Sequence, residues 1–167
     1  MKDGRDKSMR ETAELPYRPC VGIMLANQNG QVFVGKRIDS KEGDAWQMPQ
    51  GGIDQGETPE VALIRELGEE TGVTADLVDV IARSAHEHLY DLPEALVGKL
   101  WGGKYRGQAQ RWFLLRFHGR DADINIATPH QEFAAWRWVE ADSLVDLIVP
   151  FKRPVYRDVV QEFRHLL

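Results

Sequence analysis

The chain has 167 residues, a formal net charge of −5 and a single cysteine. That length suits one domain with a sizeable core, and that charge argues against coating a DNA tract by bulk electrostatics. No run of 18 apolar residues occurs, so no membrane-spanning helix is expected. The opening MKDGRDKSMRETAE is charged and lacks the apolar centre of a signal peptide. Residues 1–14 therefore read as a disordered tail and 15–167 as one domain. Cys20 has no internal partner, which fits a reducing, cytoplasmic setting; in a strand it reads as a small buried hydrophobe.

In chain order, residues 18–26 and 31–36 are apolar β-rich runs joined by Asn27-Gln28-Asn29-Gly30, with Asn-Gly as the hairpin signal. Trp46-Gln47-Met48-Pro49 is strand-like, and Gly51, Gly52 and Gly56 predict a tight loop whose amides can approach phosphate. No Gly-Lys-Ser/Thr follows, so this is not a Walker-type loop. A helix should follow, with Thr58 as N-cap, Pro59 at its first position and Glu60 in the first turn. Val61, Ile64 and Leu67, with Leu63, predict its apolar stripe, opposite an acidic face. Gly72 is placed for a left-handed ending, with Val73 packing back.

Residues 77–82 and 87–92 read as strands, and 93–107 as a long Gly-rich loop beside the site. Residues 111–118 and 135–139 read as further strands, with Trp112, Trp136 and Trp138 as core. Ser143 predicts a cap on a short helix. Pro154 opens a last helix with Val155, Val159, Phe163 and Leu166 on one stripe. The fold class is α/β.

The acidic face carries the chemistry. Glu66, Glu69 and Glu70 lie one turn apart on a helix, and like charges at that spacing repel by roughly 0.2–0.5 kcal/mol per pair. They also occupy the last turns, where the helix dipole favours cations. A local rule broken in this way marks a functional site. A bound divalent cation would turn the repelling oxygens into a coordination shell.

Gly51, Glu57, Arg65, Glu66, Leu67, Glu69, Glu70, Gly72 and Val73 stand at the spacing of the Nudix box, and the chain resembles that family. The resemblance implies a mixed β-sheet sandwiched between α-helices. It implies hydrolysis of a nucleoside diphosphate linked to another moiety, with Mg2+ or Mn2+, two or more ions. Carried over, Glu66, Glu69 and Glu70 bind metal, with Glu69 and Glu70 in the catalytic set, while Gly51, Glu57, Arg65 and Gly72 are structural and Glu57 pairs with Arg65. The motifs Tyr17-Arg18-Pro19, Trp46 to Gly52, Gly107 to Phe113, Glu132-Phe133, Trp136 to Val139 and Phe151 to Tyr156 look like the bacterial RNA pyrophosphohydrolase subfamily. That subfamily includes the plant-type dinucleoside polyphosphate hydrolases, to which residues 100–108 are most similar. Ala45 departs from the enterobacterial pattern, which has a hydroxyl residue there.

The subfamily resemblance implies that Glu132 is a further metal ligand and the base for the attacking water; an exposed loop glutamate is the plain alternative. It also implies that Phe151 is a base platform beside Lys152, against a core phenylalanine. Arg18 and Arg37 resemble phosphate-contacting arginines, against solvated surface cations. Trp101 and Tyr105 could stack a second nucleoside or only pack their loop. His86 and His88 share a strand face, but magnesium prefers oxygen. The partner is then a nucleotide polyphosphate or an RNA 5′ end. The leading expectation is an RNA pyrophosphohydrolase acting in mRNA decay, leaving 5′-monophosphate RNA, or a hydrolase of diadenosine tetraphosphate and its kin, or both. The competing class is a non-catalytic nucleotide-sensing module; such modules commonly lack box glutamates, and all of them are present here.

Overall fold

The computed structural model describes residues 14–39 and 44–167. The expected tail, apart from Glu14, lies outside the described residues. Among them, eight strands form one mixed sheet: β1 Tyr17–Ala26, β2 Val32–Arg37, β3 Trp46–Gln47, β4 Gln50–Gly52, β5 Val78–Arg83, β6 His88–Asp91, β7 Gly107–Phe117 and β8 Phe133–Val139. The main path runs β3-β2-β1-β7-β5, with β4 on β1, β6 on β7 and β8 on β2. β1 and β7 are parallel, from Tyr17 beside Gly107 to Ala26 beside Arg116, and the other pairs are antiparallel.

Alternation along the central strands sends side chains to two cores. Val21, Ile23 and Leu25 of β1 join Phe113 and Leu115 of β7 beneath helix α1, Pro59–Thr71. Met24, Ala26, Trp112 and Leu114 face the other way, onto α2, Leu144–Leu147, and α3, Arg153–Phe163. The sheet is thus sandwiched between helices, as the resemblance implied. No helix among the described residues is long and apolar enough to cross a membrane.

The local signals at α1 act as read. Thr58 Oγ1 accepts from the Val61 N–H at 3.2 Å, a cap worth about 1 kcal/mol. Gly72 ends the helix at φ 73°, its N–H bonded to Gly68 O. The buried face is another matter. Val61 and Ile64 are exposed, and the face against the sheet is Ala62, Leu63, Leu67 and Thr71 together with Glu66 and Glu70. Rows 62-66-70 and 63-67-71 lie side by side on a helix. The acidic face is therefore continuous with the core face rather than opposite it.

Other boundaries move for physical reasons. Gly51 and Gly52 belong to β4, paired with Val21 and Cys20, instead of forming a tight loop. β7 starts four residues before the expected strand because Gly107 to Gln110 are clasped between β1 and β6. Its Gln-Ala-Gln start has no apolar alternation to announce it. Trp136 and Trp138 are only partly buried; Trp136 stacks on Phe33 at 5.5 Å, and Trp138 meets Phe33 edge-on at 6.3 Å. Leu166 is exposed, past the end of α3. Ser143 does not cap α2; its hydroxyl donates to Glu140 O.

Candidate active site

The clustered carboxylates open onto one cleft of about 710 Å³. Glu66, Glu69 and Glu70 reach it from α1, and Glu132 from the residue before β8. Arg18 comes from β1, Arg37 from the end of β2, and Phe151 and Lys152 from the turn before α3. Trp101 enters from the loop of residues 92–106. Tyr105 does not line the cleft; it packs edge-on against Trp101, ring centres 6.2 Å apart. His86 and His88 do not line it either. Their rings lie 4.9 Å apart, and His88 Nε2 faces Glu162 Oε1 at 3.4 Å.

Glycine makes room for Arg18. A Cβ on Gly52 would stand 2.5 Å from the Arg18 guanidinium, so the bare backbone lets Arg18 lie across it. Arg18 continues to the Trp101 ring, 5.5 Å from its centre, a cation–π contact. Trp101 has φ 52°, a left-handed value for a bulky residue, inside a loop where Gly98, Gly102 and Gly103 take the same region.

Arg65 organises the carboxylates. Its Nε and Nη2 donate to the two oxygens of Glu57 at 2.8 Å each, a bidentate pair. Nη2 also donates to Gly52 O at 2.8 Å, tying helix to strand. Nη1 donates to Glu66 at 2.8 Å and to Glu69 at 3.2 Å. The sequence reading gave Arg65 only to Glu57; in the fold it is also the counter-charge for two of the three clustered glutamates. Hydrogen bonding from Arg65 lowers the Glu57 carboxyl to about 2.

Burial pushes Glu66 up despite Arg65, and raises Glu70 well above the usual carboxylate range. For Glu70 the repulsion of Glu66 and Glu132 adds to burial, opposed by the Gln50 N–H at 2.9 Å and by Arg37. Among the described residues no three acidic, histidine or cysteine side chains are already gathered into a metal-holding group. Arg65 accounts for part of this, since it draws Glu66 and Glu69 towards itself. The donor set still fits a hard divalent cation: carboxylates of five residues, Asp39 among them, face one cleft, and burial opposes the charge of Glu66 and Glu70.

Glu132 is half-exposed, its Oε2 3.7 Å from Arg37 Nη2, while Arg37 also pairs with Asp39 at 3.2 Å. Tyr90 was missed in the sequence although it lines the cleft, ring centre 5.8 Å from that of Phe151. Lys152 Nζ lies 5.8 Å from the Tyr90 ring and 5.7 Å from Phe151. The signal available was the strand at 87–92, but alternation alone does not say which face is inward. Gln50 and Gln108 also line the cleft and were missed, because buried amides leave no periodic mark.

The NUDIX domain family matches residues 16–159. The RNA pyrophosphohydrolase of Novosphingobium aromaticivorans is 66% identical over 156 residues, 93% of this chain and 97% of that one. The RNA pyrophosphohydrolase of Sphingopyxis alaskensis is 63% identical over 154 residues, 92% of this chain and 97% of that one. Among solved structures, an E. coli dihydroneopterin triphosphate pyrophosphohydrolase superposes with a TM-score of 0.68 at 21% identity, covering 88% of this chain and 99% of that one. A C. elegans Ap4A hydrolase binary complex gives 0.66 at 17% identity, covering 90% and 99%. At those identities the structural likeness shows the fold alone.

Proposed function

This chain belongs to the NUDIX family, and from that premise we propose that it hydrolyses the 5′-triphosphate end of RNA, releasing pyrophosphate and leaving a 5′-monophosphate. It is a pyrophosphohydrolase, an enzyme of phosphoric anhydride bonds. The observation that carries the reading is that one cleft holds the carboxylates of Glu66, Glu69, Glu70 and Glu132 together with Tyr90, Phe151 and Lys152. A site for polyphosphate and a site for a nucleoside thus adjoin. The relatives named above, alike over more than nine-tenths of the chain, support the RNA end as substrate.

Glu66, Glu69 and Glu70, with Glu132, would hold the divalent cations, Mg2+ or Mn2+ and two or more of them. When bound, such ions supply neutralisation of the phosphate charge and acidification of a coordinated water. Glu132 takes the proton of the attacking water at a carboxylate oxygen, which stands half-exposed at the cleft beside Arg37. Arg18, Arg37 and Lys152 offset phosphate charge. Phe151 and Tyr90 hold the first base. We place the activity in the cytoplasm, in mRNA decay, with which a buried unpaired Cys20 is compatible.

Dinucleoside polyphosphates are the second substrate class, for which Trp101 at the cleft would stack the distal nucleoside. The Ap4A hydrolase neighbour carries the fold only, so a dedicated dinucleoside polyphosphate enzyme is not favoured. The test compares kcat/KM for a triphosphorylated oligonucleotide and diadenosine tetraphosphate in magnesium buffer, since discrimination is that ratio. A higher value for the RNA end is expected. No pyrophosphate release from the oligonucleotide would sink the reading.

A further inference from the structure

A line of buried amides beneath the cleft has only one possible direction. The indole N–H of Trp112 is a donor and cannot accept. It lies 3.0 Å from Gln110, whose carbonyl Oε1 must therefore accept it. The NH2 of Gln110 then points the other way and donates to Gln50 Oε1 at 2.7 Å and to Gln108 Oε1 at 2.7 Å. An amide whose oxygen is taken up in this way turns its own NH2 onward. Gln108 and Gln110 are buried, Gln50 is half-buried, and both Gln50 and Gln108 line the cleft. Among the described residues, no protein group accepts a hydrogen bond from either NH2.

The place of these two donors is informative. The backbone N–H of Gln50 donates to Glu70 at 2.9 Å, and Gln108 is the cross-strand partner of Tyr90. Gln108 also stands beside Arg18 in the parallel ladder. The amides therefore neighbour both the carboxylates and the aromatic platform of the one cleft. Reversed amides would turn carbonyl oxygens towards an anion bound there.

We propose that Gln110, oriented by Trp112, is a positioning residue that holds the NH2 groups of Gln50 and Gln108 in the cleft as fixed donors to the substrate's phosphate chain. This rests on the polyphosphate reading above. Trp112 acts without touching substrate: it is fully buried and edge-on to Tyr156 at 5.7 Å. It makes one amide orientation the only satisfied one, so the donors are set before the anion arrives.

The test measures the Kd of inorganic triphosphate by calorimetry, and KM and kcat on a triphosphorylated oligonucleotide. Gln110→Met keeps the volume and removes the relay. It should raise Kd and KM together by about tenfold, the scale of one lost hydrogen bond to an anionic oxygen, with kcat within about twofold. Trp112→Phe removes the N–H together with the five-membered ring, so its melting temperature is followed alongside; in the folded variant Kd and KM should move in the same direction by less. In a Gln50→Met, Gln108→Met background, Gln110→Met should add nothing, because residues acting as one unit are non-additive. An unchanged Kd in Gln110→Met, or an equal rise in that background, would overturn the proposal. A parent that binds triphosphate but releases no pyrophosphate would overturn only the reading of function, since the Kd series decides the relay by itself.

Discussion

Glu66 rests on the bare backbone of Gly51. A Cβ built on Gly51 would stand 2.0 Å from the Glu66 carboxyl carbon, so the glycine is there to leave room for a carboxylate. Its φ is not among the positive values, which means backbone freedom is not the reason. The two residues belong to different elements, β4 and α1, and their contact sets how closely the helix face approaches the strand. Gly51→Ala should displace Glu66 by more than the reaction tolerates and lower kcat/KM by about 10²-fold or more. The overpacked contact should also cost about 1–3 kcal/mol of stability. Steady-state kinetics and denaturant unfolding measure both; near-parental turnover would show that Glu66 has slack the fold does not suggest.

Glu70 is almost completely buried, and burial together with Glu66 and Glu132 opposes its charge. Glu70→Gln removes that charge and can keep the bond from the Gln50 N–H. If Glu70 holds a cation as proposed, turnover at saturating magnesium should fall at least about a hundredfold, since a lost cation contact is worth several kcal/mol in such chemistry. The melting temperature in a chelator should not fall, because a repelling buried charge has gone. A clear drop in that metal-free melting temperature would mean the carboxylate is a structural acceptor first.

The Glu57–Arg65 pair gives a pH signature. Its bonds to Arg65 hold Glu57 at about 2, below the ordinary 4.5. A carboxyl lowered in the fold binds fewer protons there than in the unfolded chain between those values. Its contribution is therefore present above about 4.5 and lost as pH falls through about 2. Glu57→Gln should melt below the parent near neutrality, and the gap should close between about 4.5 and about 2. A gap independent of pH over that range would assign the loss to packing rather than to the charged pair.

Which parts of this were legible follows from what each signal depends on. The caps of α1 were readable because Thr58, Pro59 and Gly72 act within one turn of chain. Its buried face was not, because Val61, Ile64 and Leu67 match helical spacing as well as Ala62, Leu63 and Leu67 do. Docking on the sheet decided between them and carried Glu66 and Glu70 inward. The acidic residues of the cleft were visible as an electrostatic conflict, with Glu132 placed by resemblance. Gln50, Gln108 and Tyr90 were not visible, since their convergence depends on the pairing of β7 with β1 and β6 across long stretches of chain.

Glu132 stands apart from the helix carboxylates, on the residue before β8, with its backbone carbonyl held by the Ile38 N–H at 2.9 Å. That anchor fixes the main chain and leaves the half-exposed carboxylate aimed into the cleft. If Glu132 is the proposed base, it acts in the transition state, so Glu132→Gln should lower kcat by roughly 10²–10⁴-fold while KM changes less. Raising the pH should recover part of the loss, because hydroxide replaces the water that needs deprotonation. A parental kcat in this variant would return Glu132 to an ordinary loop residue.

Phe151 and Trp101 line the same cleft from different elements, and that separation allows the two substrate classes to be told apart. Phe151 lies beside Tyr90 and Lys152, so its ring is a platform with a cation at its edge. If it stacks the first base, Phe151→Ala should cost about 1–3 kcal/mol of binding for RNA ends and dinucleoside polyphosphates alike. Trp101 lies under the Arg18 guanidinium, with Tyr105 against its edge and outside the cleft. Trp101→Ala should therefore weaken diadenosine tetraphosphate hydrolysis more than hydrolysis of a triphosphorylated oligonucleotide, which has no second nucleoside across the phosphates. Tyr105→Ala should show the same bias in a weaker form, because it reaches substrate only through Trp101. Equal losses on both substrates would make the 92–106 loop a brace for Arg18 rather than a nucleoside site.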